Sequence, residues 1–255
     1  MRPSVTAVII SFNEEAKIGR CLDSLRGVVD EIFVLDSGSV DRTKDICLSR
    51  GARVVTEPFR GYIAQKNAAL DHARTDWVLS LDADEELSPS LAESIRSALE
   101  APAADAFEMN RRSEYCGRFV RRSGWYPDRK IRLFRRSLGR WTGVDPHDRF
   151  EPAPGAVIAR LKGDLLHRYV ATEAEHESKV RRFAVIAARA MHAGGRDAGW
   201  PTILLKTVNG FLRAYLWHLG FLEGRTGFAI ARFAALEKFL KYRELRRLVR
   251  TKAGG

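Results

Sequence analysis

The chain has 255 residues, enough for one well-buried core with an appendage. Hydrophobic residues make up 45% of it, which excludes a disordered polypeptide. Lys and Arg number 43 against 32 Asp and Glu, a formal charge of +11 that points to an anionic partner and says nothing about fold.

Residues 5–10 form an apolar, β-branched run, read as a first buried strand and too short for the core of a secretory signal. Residues 13–25 have helix spacing, with Ile18, Cys21, Leu22 and Leu25 on one face. A second strand, 31–35, ends at the turn cluster Asp36-Ser37-Gly38-Ser39. A helix over 41–49, a short strand over 53–56 and a helix over 61–73 follow, and a strand over 77–81 ends at Asp82. Such alternation predicts an α/β fold with a mostly parallel sheet flanked by helices. Ligands of such sheets bind beyond the carboxyl ends of the strands. Ser11-Phe12-Asn13-Glu14, Asp36, the Lys66-Asn67 helix and Asp82-Ala83-Asp84 therefore share one expected cleft.

From 110 to 148 the character changes to arginines with interleaved aromatics, on loops and short strands. Thr172 with Glu175 makes a capping box that opens a helix to about 192. Two amphipathic helices separated by 220–227 complete the chain. Lys206 and Arg213 interrupt the least charged stretch, 198–222, so no transmembrane span is expected. Cys21, Cys47 and Cys116 form no CxxC pair, which argues for reduced thiols in the cytosol and against a zinc site or disulfide framework.

Alternate carboxylates such as Asp82 and Asp84, leaving a strand, can aim at one point. Their hard oxygens suit Mg²⁺ or Mn²⁺ shared with substrate phosphate. The competing role is charge at the start of the helical run 89–99, which Asp84, Glu85 and Glu86 precede. For Asp36, recognition of a pyrimidine edge competes with turn formation. A dehalogenase-like phosphatase also uses DxD after a strand, but Glu86 stands where its Thr or Val belongs. A nucleic-acid-binding protein is suggested by charge alone, with no supporting signature.

TAVIISFNEE, FVLDSGSVDRT, the QKN segment and WVLSLDADEEL resemble the nucleotide-binding half of family-two inverting glycosyltransferases of the GT-A (Rossmann-like) fold. GWYPDRKIRLFRR, His147-Asp148 and GFLEGRTGF resemble the bacterial glucosyltransferases of lipopolysaccharide inner-core synthesis. The resemblance implies a UDP-sugar donor bound by Ser11, Asn13, Glu14, Asp36, Lys66 and Asp82, and a metal on Asp84 and Asp82, with His167 at the metal or diphosphate. It implies catalysis by Asp148 with His147, where relatives usually carry His-Glu, with Asp128 and Glu151 as other candidate bases. The basic loop suits a phosphorylated, acidic acceptor, with Trp125, Tyr126, Arg129 and Arg132 in contact. The resemblance implies transfer of a hexose, glucose from UDP-glucose, with inversion, to a heptose of a lipid-linked lipopolysaccharide core; a polyprenyl-phosphate sugar transferase would have the same cleft.

The expected organisation is a catalytic domain over 1–170, with nucleotide-sugar binding in 1–100 and acceptor and base in 101–170. A helical region over 171–255 would lie on an anionic membrane surface, at the inner face of the cytoplasmic membrane, or mediate homo-oligomerisation. Leu204, Leu205, Val208, Leu212 and Leu216 recur there at helical spacing, ahead of a basic run from Arg225.

Overall fold

β1 (Val5–Ser11), β2 (Glu31–Asp36) and β4 (Trp77–Asp82) are near-continuous apolar runs because helices cover both of their faces. In this computed structural model the described residues are 2–145 and 147–253, without the side chains of His147, Lys252 and Ala253. Side chains alternate across a strand. On β1, Val5, Ala7 and Ile9 enter one core with Cys21 and Leu22 of α1 (Ile18–Ser24), while Val8 enters a second core.

The chain continues through α2 (Thr43–Ser49), β3 (Arg53–Thr56) and α3 (Tyr62–Asp71), whose Ala69 and Leu70 lie in that second core. β5 (Glu85–Leu87), α4 (Pro89–Glu100), β6 (Ala106–Tyr115), β7 (Arg118–Phe119) and β8 (Asp128–Arg135) follow β4. β9 (Gly139–Val144) and β10 (His147–Pro152) make an antiparallel pair, and β11 (Ile158–Val170) is the longest strand. The main sheet runs β3-β2-β1-β4-β8-β6-β11-β5, with β7 on β6. It is parallel from β3 to β4; β8 runs antiparallel to β4 and to β6, and β5 antiparallel to β11. This is the expected mixed α/β sheet, and the C-terminal part of the chain is helical, as expected.

The first helix is shorter than its spacing predicts. Asn13 has φ +53, donates its N–H to Ser39 Oγ at 2.8 Å and accepts from Val40 N at 3.0 Å. These bonds keep 13 and 14 out of the helix, which starts at Ile18 after a turn over 15–17.

The chain divides into two compact units: 1–112 with 128–168, and 113–127 with 169–255. In the second, α5 (Glu173–Ala193) starts at the expected capping box: Thr172 Oγ1 accepts from Glu175 N at 3.1 Å, and Glu175 Oε2 accepts from Ala171 N at 2.7 Å. α6 (Trp200–Leu212) leads through a wide turn (Arg213–Trp217) and a tight one (Gly220–Glu223) into α7 (Arg225–Ala253). No helix among the described residues is long and apolar enough to cross a membrane.

His176 on α5 is buried at 5% exposure among Tyr115, Trp125, Tyr169 and Phe233, and its Nδ1 has no partner among the described residues. Burial, then the charges of Lys179 and Arg232, push its pKa down to about 4. The unfolded chain therefore takes up this proton first, near pH 6.5. The contribution to stability is complete above that pH and is lost as pH falls toward 4. Between pH 7 and 5 the wild type should lose about 2 kcal/mol more than His176→Leu in urea unfolding. Equal losses would refute a neutral buried imidazole.

Candidate functional site

Strand register brings the strand-end residues level: Ser11 lies opposite Asp36, and Ile10 opposite Asp82. Asp36 is fully buried. Its Oδ2 accepts from Ser11 Oγ at 3.0 Å and Ser39 Oγ at 2.5 Å, and its Oδ1 from Gly38 N at 3.0 Å and Ser39 N at 2.7 Å. A carboxylate offers about four acceptor positions. All are engaged here, so Asp36 builds the turn after β2. Glu14 joins the same loop pair through its N–H, which donates to Thr43 Oγ1 at 2.8 Å.

Lys66 on α3 is 4% exposed, and its Nζ lies 2.9 Å from Asp82 Oδ1 and 2.7 Å from Asp148 Oδ2. It also lies 4.6 Å from the Trp141 ring centroid. Local chemistry sets this meeting. Asn67 exchanges two hydrogen bonds with the Trp141 backbone, at 2.9 and 3.0 Å. Asp145 accepts from the N–H groups of Tyr62 and Ile63 at 3.2 and 3.1 Å, at the start of α3. Gly61 permits that approach: its φ is +104, and a Cβ there would meet Asp145 Oδ2 at 2.3 Å. The β9–β10 pair is thus fastened to α3, and Asp148 to Lys66.

Behind Asp82 runs a chain of charge. Arg132, 2% exposed, reaches Asp82 Oδ2 at 2.9 Å and Glu85 Oε1 at 2.7 Å. Glu85 is fully buried; it also receives Arg111 at 3.3 Å and accepts from Asp82 N at 3.0 Å. Arg111 continues to Asp128 at 2.7 Å, where Lys130 also pairs at 3.0 Å. Burial opposes charge on Asp82, but Lys66 and Arg132 hold its carboxyl far below the usual range. Burial likewise opposes charge on Arg132, and Glu85 and Asp82 outweigh it, holding the guanidinium above its usual value. Lys66, Asp82, Arg111, Arg129, Arg132, Trp141, Asp148 and Arg149 help line a cleft of about 570 Å³.

Asp84 has different partners. Its Oδ2 lies 3.4 Å from His167 Nε2 and 4.0 Å from Lys17 Nζ. Burial opposes its charge, yet His167 and Lys17 hold the carboxyl below its ordinary value. The helix-start role for this acidic segment is filled instead by Ser88, whose Oγ accepts from Leu91 N at 3.3 Å. Among the described residues no three His, Cys, Asp or Glu converge as a ready metal cluster. The Asp84–His167 pair nevertheless fits a six-coordinate cation. Neighbouring donors about 2.1 Å from such an ion lie about 3 Å apart, and Mg²⁺ or Mn²⁺ takes its other ligands from water and diphosphate.

Of the predicted site residues, Lys66, Asp82, Asp148, Arg129 and Arg132 meet at the cleft. Ser11, Asn13, Glu14 and Asp36 form the loop pair beside it, and Asp84 meets His167. Trp125 and Tyr126 belong to the second unit, where Trp125 packs on Tyr115, Tyr169 and His176. The His147 side chain lies outside the described residues. Glu85, Arg111 and Asp145 were not foreseen as site-building residues.

The family model Glycosyl transferase family 2 matches residues 6–152. The lipopolysaccharide core biosynthesis glycosyltransferase LpsC of Rhizobium meliloti is 30% identical, over 93% of this chain and 93% of that protein. An uncharacterized glycosyltransferase of Rickettsia bellii is 45% identical over 91 residues, a match covering 36% of this chain and 31% of the relative. Among solved structures, the mannosyltransferase PcManGT of Pyrobaculum calidifontis, in complex with GDP-Man and Mn²⁺, aligns with a TM-score of 0.51 at 16% identity. That alignment covers 94% of this chain and 88% of that one, and it is a likeness of fold.

Proposed function

Since the chain belongs to glycosyl transferase family 2, we propose that this glycosyltransferase moves glucose from UDP-glucose, with inversion, to a heptose of a lipopolysaccharide core acceptor. The observation that carries this reading is the meeting of Asp82 and Asp148 on Lys66 Nζ, in one cleft at the strand ends. Core biosynthesis is the role named for the relative aligned along nearly its whole length.

Ser11, Asn13 and Glu14 line the nucleoside pocket, which Asp36 shapes through its turn. Asp148 takes the proton of the acceptor hydroxyl as that oxygen attacks the anomeric carbon opposite the leaving UDP. Lys66 keeps Asp148 in place and supplies positive charge near the diphosphate. A divalent cation, Mg²⁺ or Mn²⁺, held by Asp84 with His167 and supported by Asp82, would neutralise the departing diphosphate. Arg132 braces Asp82, and Arg129, exposed in the cleft lining, meets the anionic acceptor. The acceptor is lipid-linked, so the enzyme works at the inner face of the cytoplasmic membrane, against an anionic surface.

A thermal-shift panel of nucleotide sugars with and without Mn²⁺ tests the reading. UDP-glucose with Mn²⁺ should give the largest stabilisation, about 2.7 kcal/mol at 100 times its Kd. Asp84→Ala should lose the Mn²⁺-dependent part and keep the fold. A larger effect from GDP-mannose, or a full Mn²⁺ effect in the variant, would overturn the donor or the metal assignment respectively.

A further inference from the structure

Leu212, Leu216, Trp217, Leu219, Phe221 and Leu222 form an uncovered apolar ridge on the second unit, with Trp217 82% exposed. Within α6 only Ile203 is buried. Contiguous apolar surface of this kind marks an interaction site.

The identity of the partner follows from the rim. The arginine-bearing segment 118–123 is fastened to the ridge: Arg121 N donates to Glu223 Oε1 at 2.9 Å, and Ser123 N to His218 O at 3.0 Å. The packing is close, since a Cβ on Gly220 would come within 2.7 Å of Ser123 Oγ. Arg121, Arg122, Arg213 and Arg225 are all exposed around these turns. Glu223, the sole acid between 212 and 225, is held by the Arg121 backbone. A second copy on a two-fold axis would set this basic rim against itself. Phospholipid phosphates complement it, because a guanidinium pairs bidentately with phosphate, while Trp, Phe and Leu enter the boundary between headgroups and acyl chains.

We infer that the ridge over 212–222, with Arg121 and Arg122 at its rim, docks the chain on an anionic phospholipid leaflet. This deepens the proposed function, on whose lipid-linked acceptor it rests. It moves these two arginines from sugar recognition to lipid recognition.

The test is flotation of the full chain with phosphatidylcholine vesicles, with and without about 30 mol% phosphatidylglycerol. Wild type should bind the anionic vesicles and be released by salt, because exposed charges are screened. The Arg121→Ala, Arg122→Ala double variant should bind about 30-fold more weakly, the effect of two cations near an anionic leaflet. The Trp217→Ser, Phe221→Ser, Leu222→Ser variant should lose at least about tenfold. Both should keep wild-type circular dichroism and UDP-glucose binding. Wild-type indifference to anionic vesicles at low salt would overturn the inference, as would variants that bind like wild type. So would a wild-type dimer that Leu222→Glu makes monomeric, because a second copy would then cover the ridge. UDP-glucose binding is measured in the same samples, so its failure with vesicle binding intact faults the catalytic reading and leaves the docking surface standing.

Discussion

Asp148→Asn is expected to lower kcat by roughly 10²–10⁴, the scale for loss of a general base, with UDP-glucose affinity nearly unchanged. The two side chains have the same shape, and the amide oxygen can still accept from Lys66 Nζ, which lies 2.7 Å from the native carboxylate. Packing on β10 should survive, and proton acceptance should not. The other acids considered from the sequence are engaged elsewhere. Asp128 is held by Arg111 and Lys130, which outweigh burial and keep its carboxyl below the usual range. Glu151 accepts from Thr142 Oγ1 at 2.6 Å and is exposed. Turnover at saturating donor, with donor Kd measured alongside, decides the matter. A large loss in Asp128→Asn or Glu151→Gln, with Asp148→Asn active, would move the base to that residue.

The parallel half of the sheet was legible because β1, β2 and β4 are buried on both faces, which writes them as unbroken apolar runs. The antiparallel half was not. In β8 the sequence DRKIRLFR mixes exposed Arg129 and Arg135 with buried Arg132, Leu133 and Phe134, so half of the strand reads as a basic loop. Burying Arg132 requires partners from β4 and β5, which sequence spacing does not reveal. The same holds for β11, whose 13 residues mix polar and apolar positions with neither strict alternation nor a strong run.

The strand-end positions Ser11, Asp36 and Asp82 were legible for a topological reason, since parallel register places them side by side. Their detailed chemistry was less so. Asp82 and Asp84 stand two residues apart, yet they take different partners, Lys66 and Arg132 for one and His167 and Lys17 for the other. Glu85, adjacent in sequence and read as charge at a helix start, is a buried hub instead. Which acid in a run of four becomes a cleft residue, a metal ligand or a buried anchor depends on what the neighbouring strands bring to it. That information lies 16 to 83 residues away in sequence.

Glu85→Ala is expected to destabilise the chain by about 3–5 kcal/mol, the usual effect of removing one member of a buried ion pair. Glu85 is fully buried, and Arg132 beside it is 2% exposed. Truncation would leave Arg132 with Asp82 as its remaining carboxylate and Arg111 with Asp128. It would also remove the acceptor of the Asp82 N–H. The buried guanidinium cannot escape by losing its proton, because arginine remains charged at every accessible pH. Glu85→Gln separates charge from hydrogen bonding. The amide oxygen can still accept from Arg132 or from Asp82 N, so the loss should fall between wild type and Glu85→Ala. Urea unfolding of the three proteins measures this directly, and UDP-glucose binding by the folded variants reports whether Asp82 has moved. A Glu85→Ala protein within about 1 kcal/mol of wild type, comparable to a surface pair, would mean that water reaches Arg132 and Arg111. The charged chain behind Asp82 would then be solvated and would not fix the position of that carboxylate.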